Sequence, residues 1–255
     1  MSIQHGPSAR LAADEDEAGT TFRWSPSRSA QTLSLPEQIA ETIGNAIIKG
    51  DLEPGQRIQE QTIASQFDVS RGPVREALRI LERDGMVRIL PRRGAQVTQL
   101  SIDEVSDVFA IRASLVGLVA RLIAENPDPA LIAKLRQRAD KLNQLAASDV
   151  DADQYVQESY YMNMSMASGC GNPRLRDLIY SLAHQTVRYS RLGLSTKERR
   201  QQSAKLHHAL VRALQKGDAR RAQETAERLV MESRAMAIML LREQHTGAQK
   251  KLRKR

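Results

Sequence analysis

Apolar residues fall into two rhythms along this chain. Between residues 34 and 85 they recur three and four apart: Ile39, Ile43 and Ile47, then Ile63, Ala64 and Phe67, then Val74, Ala77, Leu78 and Leu81. That period belongs to helices that bury one face, so three helices are expected. Ser34 and Glu37 have capping-box spacing for the first, and Gly50 stops it. The second, "EQTIASQF", starts after Gln59, a poor cap, and ends at Asp68, expected in a left-handed turn. Ser70 caps the third and Gly85 ends it. The rhythm then changes. "MVRILPRRGAQVTQL" reads as two short strands around a basic tip, "PRRG".

Beyond residue 100 the helical period returns and stays. Ser101 and Glu104 form a second capping box, for a helix to about Asn126, and Asp128 with Pro129 opens the next. Further helices are expected over about 152–168, 173–192, 197–216 and 219–243. The fold class is therefore mainly α: an N-terminal winged helix-turn-helix (three helices plus a β-hairpin wing), then an antiparallel all-helical bundle of about six helices. The boundaries are a disordered tail at 1–33, holding a lone Trp24, a DNA-binding unit at 34–100, a helical unit at 101–245 and a basic tail at 246–255.

The third helix carries a second row. Arg71, Arg75 and Arg79 are four residues apart and drift only about 40° per step, so they form a stripe about a third of a turn from the apolar set. A helix that packs by one face and offers Arg by another suits a major groove, where paired guanidinium donors match guanine O6 and N7. Ser70 and the first N–H groups suit a phosphate, and Arg92, Arg93 and Gly94 suit the adjoining minor groove. A solvated charged surface explains any single arginine equally well. Seven arginines between 71 and 93 against Glu76, Glu82 and Asp84, on this layout, favour DNA.

Composition narrows the rest. The 255 residues carry 38 basic and 30 acidic side chains, a net charge of +8 that suits an anionic partner. Cys170 is the one cysteine, so no disulfide framework is expected; it reads as a small buried residue. The best apolar run, "VFAIRASLVGLVARLIA", is broken by Arg112 and Arg121, and a cytoplasmic protein without a membrane span is expected.

In the helical unit Arg112 falls inside the stripe of Val105, Val108, Phe109, Leu115, Val116, Val119 and Leu122. A guanidinium turned into a core needs an anion. His207 lies among Leu210, Val211 and Leu214, and Asn163 shares a face with Val156, Tyr160 and Ala167. Such convergence makes a small-ligand pocket plausible, although each group alone reads as a satisfied buried side chain, with Arg112 paired to an internal carboxylate.

Residues 48 to 101 resemble the DNA-binding domain of GntR-family bacterial transcription regulators, through "PG" before the second helix, "VSRGPVREALRILERDG" and "RRGAQV". The resemblance implies base and phosphate contacts from Ser70, Arg71, Gly72, Arg75, Arg93 and Gly94. Gln61, also expected among the DNA-binding residues, stands where many members carry Arg, and Gly72 where Thr is frequent; both bear on which operator is read. "VFAIRASLVGLVARLIAE", "SGCGNPRLRDLI" and "HHALVRALQKGDARRAQETAERL" resemble the FCD-type sensor domain of the FadR subfamily. That implies a homodimer and a small organic acid, often bound through a metal held by one Asp and three His. Carried over residue by residue, those ligands fall on Ser159, Asn163, His207 and Leu229. One retained ligand holds no metal ion.

The expectation is thus a metal-free sensor with no cofactor, in which Arg112, Ser159, Asn163 and His207 bind a carboxylate directly, with Arg188 and Tyr189 as lesser candidates. The protein is expected to be a repressor rather than an activator, reading a pseudo-palindromic double-stranded operator as a homodimer. Two alternatives stay open: a helical half that only dimerises, and a metal-dependent enzyme using His184, His207 and His208. Against the enzyme stand the lack of "HExxH" and of a Gly-rich phosphate loop.

Overall fold

The computed structural model describes residues 33–91, 93–148 and 152–252, with side chains as far as Gln244. The expected tail at 1–33 lies almost wholly outside the described residues, as do Trp24 and Arg92. Two compact units divide the chain, one ending at Gln99 and the other beginning at Leu100.

The first unit has three helices, α1 (Leu35–Lys49), α2 (Glu60–Gln66) and α3 (Arg71–Arg83), and three strands, β1 (Arg57–Ile58), β2 (Val87–Leu90) and β3 (Gly94–Val97). Ile39 and Ile43 of α1 and Val74, Ala77, Leu78 and Leu81 of α3 are buried where the two helices pack, and fully burying an Ile, Val or Leu side chain stabilises by about 1.5–3 kcal/mol. Phe67, expected inward, is only half-buried. Asp68 takes φ 52°, the left-handed turn expected between α2 and α3. The sheet is antiparallel in the order β1-β3-β2, pairing Ile58 with Ala95 and Ile89 with Ala95 on the two sides of β3. β1 was not expected, since two residues carry no period. Its Ile58 carbonyl oxygen would lie 3.0 Å from a Cβ added at Gly94, where φ is +77°. Both conditions make glycine the fitting residue there.

The second unit is helical throughout: α4 (Ile102–Glu125), α5 (Pro129–Ala147), α6 (Ala152–Gly169), α7 (Pro173–Gly193), α8 (Lys197–Gln215) and α9 (Ala219–Leu252). The starts follow the expected caps. Ser101 Oγ accepts from the Glu104 N–H while Glu104 accepts from the Ser101 N–H, and Asp128 accepts from the Ala130 N–H. α9 continues to Leu252, past the end expected near 243 and through much of the segment expected as a basic tail. α4 packs on α9 and α7, and α5 on α6 and α8. Val108, Leu115 and Leu122 sit at the rim of the α4 stripe, half-buried, whereas Arg112 is buried within it. Among the described residues no helix is long and apolar enough to cross a membrane.

Candidate nucleic-acid interface and internal cavity

On α3 the aliphatic set faces the core, and Arg71, Arg75 and Arg79 stand exposed along another edge. α2 steadies the first two. Arg71 Nε donates to Gln61 Oε1 at 2.7 Å, and Arg75 Nε to Glu60 Oε2 at 2.8 Å. A guanidinium gripped through Nε presents its terminal amino groups at the opposite edge, the edge a guanine or a phosphate would meet. Arg79 reaches Glu76 at 3.3 Å, with both side chains exposed, a pair that contributes little to stability. Gln61, Arg71, Arg75, Arg79, Arg93 and Gly94 line one open groove between α2, α3 and the wing.

Ser70 occupies the N-cap position of α3 yet makes no side-chain capping bond. A capping serine accepts from the second or third helical N–H, and the third position here is Pro73, which has none. The Ser70 hydroxyl and the opening N–H groups, including that of exposed Gly72, therefore remain at the positive end of the helix.

Inside the second unit α4, α6, α7, α8 and α9 enclose a cavity of about 50 Å³. Its lining includes Arg112, Ser159, Asn163 and His207, brought together from three helices, and Leu229. Arg188 is not among the lining residues. It lies over the Tyr189 ring at 4.5 Å and donates to the Tyr189 hydroxyl at 2.6 Å, and that hydroxyl also accepts from the Leu100 N–H at 3.1 Å. Tyr189 thus holds the first residue of the helical unit to α7.

Arg112 does not find an internal carboxylate. Its Nη1 donates to Thr186 Oγ1 and Ser190 Oγ, each at 3.2 Å, and its Nε has no partner. Burial lowers its pKa to about 10, which leaves it charged at neutral pH. His207 Nδ1 lies 2.8 Å from the Ser203 carbonyl oxygen. A carbonyl only accepts, so Nδ1 carries the proton and the neutral ring keeps its lone pair on Nε2. Burial takes this imidazole down to about 4, outweighing that hydrogen bond.

The metal ligands implied by the family resemblance do not fit this cavity. Ser159 and Asn163 are neutral oxygen and amide groups, Leu229 offers no donor, and only His207 remains. Among the described residues no three His, Cys, Asp or Glu side chains stand close enough to hold a metal ion. His208 lies 3.7 Å from Asp140, and His184 Nε2 lies 3.0 Å from the Tyr160 hydroxyl.

Residues 35–97 match the bacterial regulatory proteins of the gntR family, and residues 107–232 match the FCD domain. The chain belongs to the GntR family. This GntR-family chain is 26% identical over 142 residues to the Bacillus subtilis "Uncharacterized HTH-type transcriptional regulator YdhC", covering 56% of this chain and 63% of that one. It is 30% identical over 131 residues to the B. subtilis "Gluconate operon transcriptional repressor", covering 51% and 53%. The matches thus span about half to two thirds of these relatives' lengths. The solved structure of E. coli McbR/YncC shares the fold with a TM-score of 0.71 at 21% identity, covering 82% of this GntR-family chain and 100% of that one. The families and relatives found are regulators of transcription, not enzymes.

Several groups in these sites escaped the sequence. Glu60 grips Arg75, and Thr186, Ser190, Ser203 and Ser233 add hydroxyls in or beside the cavity. Thr186 and Ser190 are four apart, as are Ser203 and His207. Polar pairs at helical spacing on buried faces were the available signal.

Proposed function

We propose that this protein is a DNA-binding transcription regulator, a repressor that grips a pseudo-palindromic operator as a homodimer in the cytoplasm and responds to a small organic acid. The observation that carries the DNA half is α3: sealed by Val74, Ala77, Leu78 and Leu81 on one face, with Arg71 and Arg75 held by α2 on another. Ser70, Arg71, Gly72, Arg75, Arg79, Arg92, Arg93 and Gly94 contact the duplex, and Gln61 orients Arg71. The relative named as the gluconate operon repressor supports the sign of regulation.

The effector site is the cavity of the second unit, without a metal: Arg112 meets the carboxylate, and Ser159, Asn163 and His207 supply neutral hydrogen-bonding groups. Ser190, bonded to Arg112, is adjacent in sequence to Tyr189, which holds Leu100. Leu100 follows directly on the DNA-binding unit, so an acid that moves α7 also moves the point where the two units join. Its effect on operator affinity equals its preference for one of the two dimer geometries.

Selection of bound duplexes from a random pool, followed by titration with organic acids, tests this reading. A selected two-fold operator whose affinity changes with an acid supports it. Equal binding to every duplex defeats the regulator reading. A selected operator indifferent to all acids, with no acid stabilising the protein, leaves a helical half that only dimerises.

A further inference from the structure

The cavity holds more information than the presence of a sensor. Among the described residues that line it, Arg112 is the one cation and no carboxylate faces it. Arg112 is 7% exposed; its hydrogen-bond partners are hydroxyl groups of α7, its guanidinium carbon lies 5.9 Å from the centre of the Phe109 ring, and Nε has no partner. A buried guanidinium answered by hydroxyls and a ring face still lacks one negative charge, and a second buried negative charge would find no cation to answer it. The remaining polar lining is neutral, and Ser233 Oγ is buried without a partner. The other walls are apolar, with Val116, Met162, Met166, Leu210 and Leu229 among them. At about 50 Å³ the cavity suits a small ligand.

Resting on the proposal that this cavity is the sensor, we infer that its ligand is a short monocarboxylic acid, bound without a metal and selected against dianions. Its carboxylate meets the Arg112 guanidinium, and its uncharged remainder lies against Leu229 and the two methionines. Leu229, standing where the resemblance places a histidine ligand, is then part of the selectivity.

The test is calorimetric titration and thermal shift of the full chain, after chelator treatment, with acetate, propionate, butyrate, lactate, malonate, succinate and inorganic phosphate. At least one monocarboxylate binds and raises the melting temperature, while malonate and succinate do so at least about tenfold more weakly, since each dianion would bury an unanswered charge, and phosphate is weaker too, having no apolar remainder to lie against Leu229 and the methionines. Arg112→Gln weakens the bound acid about 30-fold or more. Because the arginine lacks an anion in the empty cavity, the same variant unfolds, ligand-free, at a temperature no lower than the parent. A second variant, Leu229→Ala, keeps Arg112 and shifts preference toward the longer acids. Tighter binding of a dianion, lost in Arg112→Gln, overturns the monoanion inference and leaves the sensor reading standing, as does binding that needs an added divalent metal. Failure of every acid, with Arg112→Gln unfolding well below the parent, overturns both.

Discussion

Arg75 illustrates how one side chain divides its donors between fold and function. Glu60 takes Nε, and the side chain is still 60% exposed. If the outer edge reads a base, Arg75→Ala costs about 1–3 kcal/mol on the selected operator and relaxes preference at one position, measured by competition between duplexes. Equal loss on operator and random DNA would mark a phosphate contact instead. His207 makes a prediction of the opposite kind, through a proton it does not take up. Its folded pKa of about 4 lies below the ordinary 6.5, so between those values the unfolded chain binds the proton and the folded one does not. The His207 contribution is therefore intact above pH 6.5 and is lost as pH falls toward 4, by roughly 3 kcal/mol in all. Urea midpoints at pH 7.5 and pH 5 check this: His207→Gln should show a distinctly smaller acid loss than the parent.

At the scale of elements, caps and periods were legible because they are local. Ser101 with Glu104, Asp128 with Pro129, and the left-handed Asp68 all stand where their own chemistry puts them. β1 was hidden because two residues show no alternation, and it is a strand only by virtue of the partner that Gly94 lets approach. The cavity was half legible. Arg112, Asn163 and His207 announced themselves as polar breaks in apolar stripes, whereas Ser190 and Ser233 carry hydroxyls too small to break a pattern. Arg188, a lesser candidate, is not among the cavity's lining residues and lies over the Tyr189 ring. That ring gives α7 its proposed coupling role. Tyr189→Phe removes the acceptor for the Leu100 N–H and should leave acid binding in the cavity within about twofold, because the lost bond contributes only about 0.5–1.5 kcal/mol and lies outside the lining. The acid's effect on operator affinity should shrink, as gel-shift titrations with and without acid would record. Unchanged regulation would remove Tyr189 from the route.

For the whole molecule, symmetry is the strongest constraint. The proposed homodimer would present two α3 helices related by a two-fold axis, so footprinting should protect two equivalent half-sites, one dimer per operator. Protection of a single half-site at saturating protein would break that expectation. Binding should also weaken steeply with salt, since arginines that neutralise phosphates release counterions. Arg112 has a further consequence, on abundance. A guanidinium enclosed without a counter-charge would make the proposed sensor, when empty, the more easily opened form, and opened chains are what cellular proteases cut. Supply of the proposed acid would then set the regulator's lifetime together with its grip on the operator, and pulse-chase half-lives should lengthen when the acid is added.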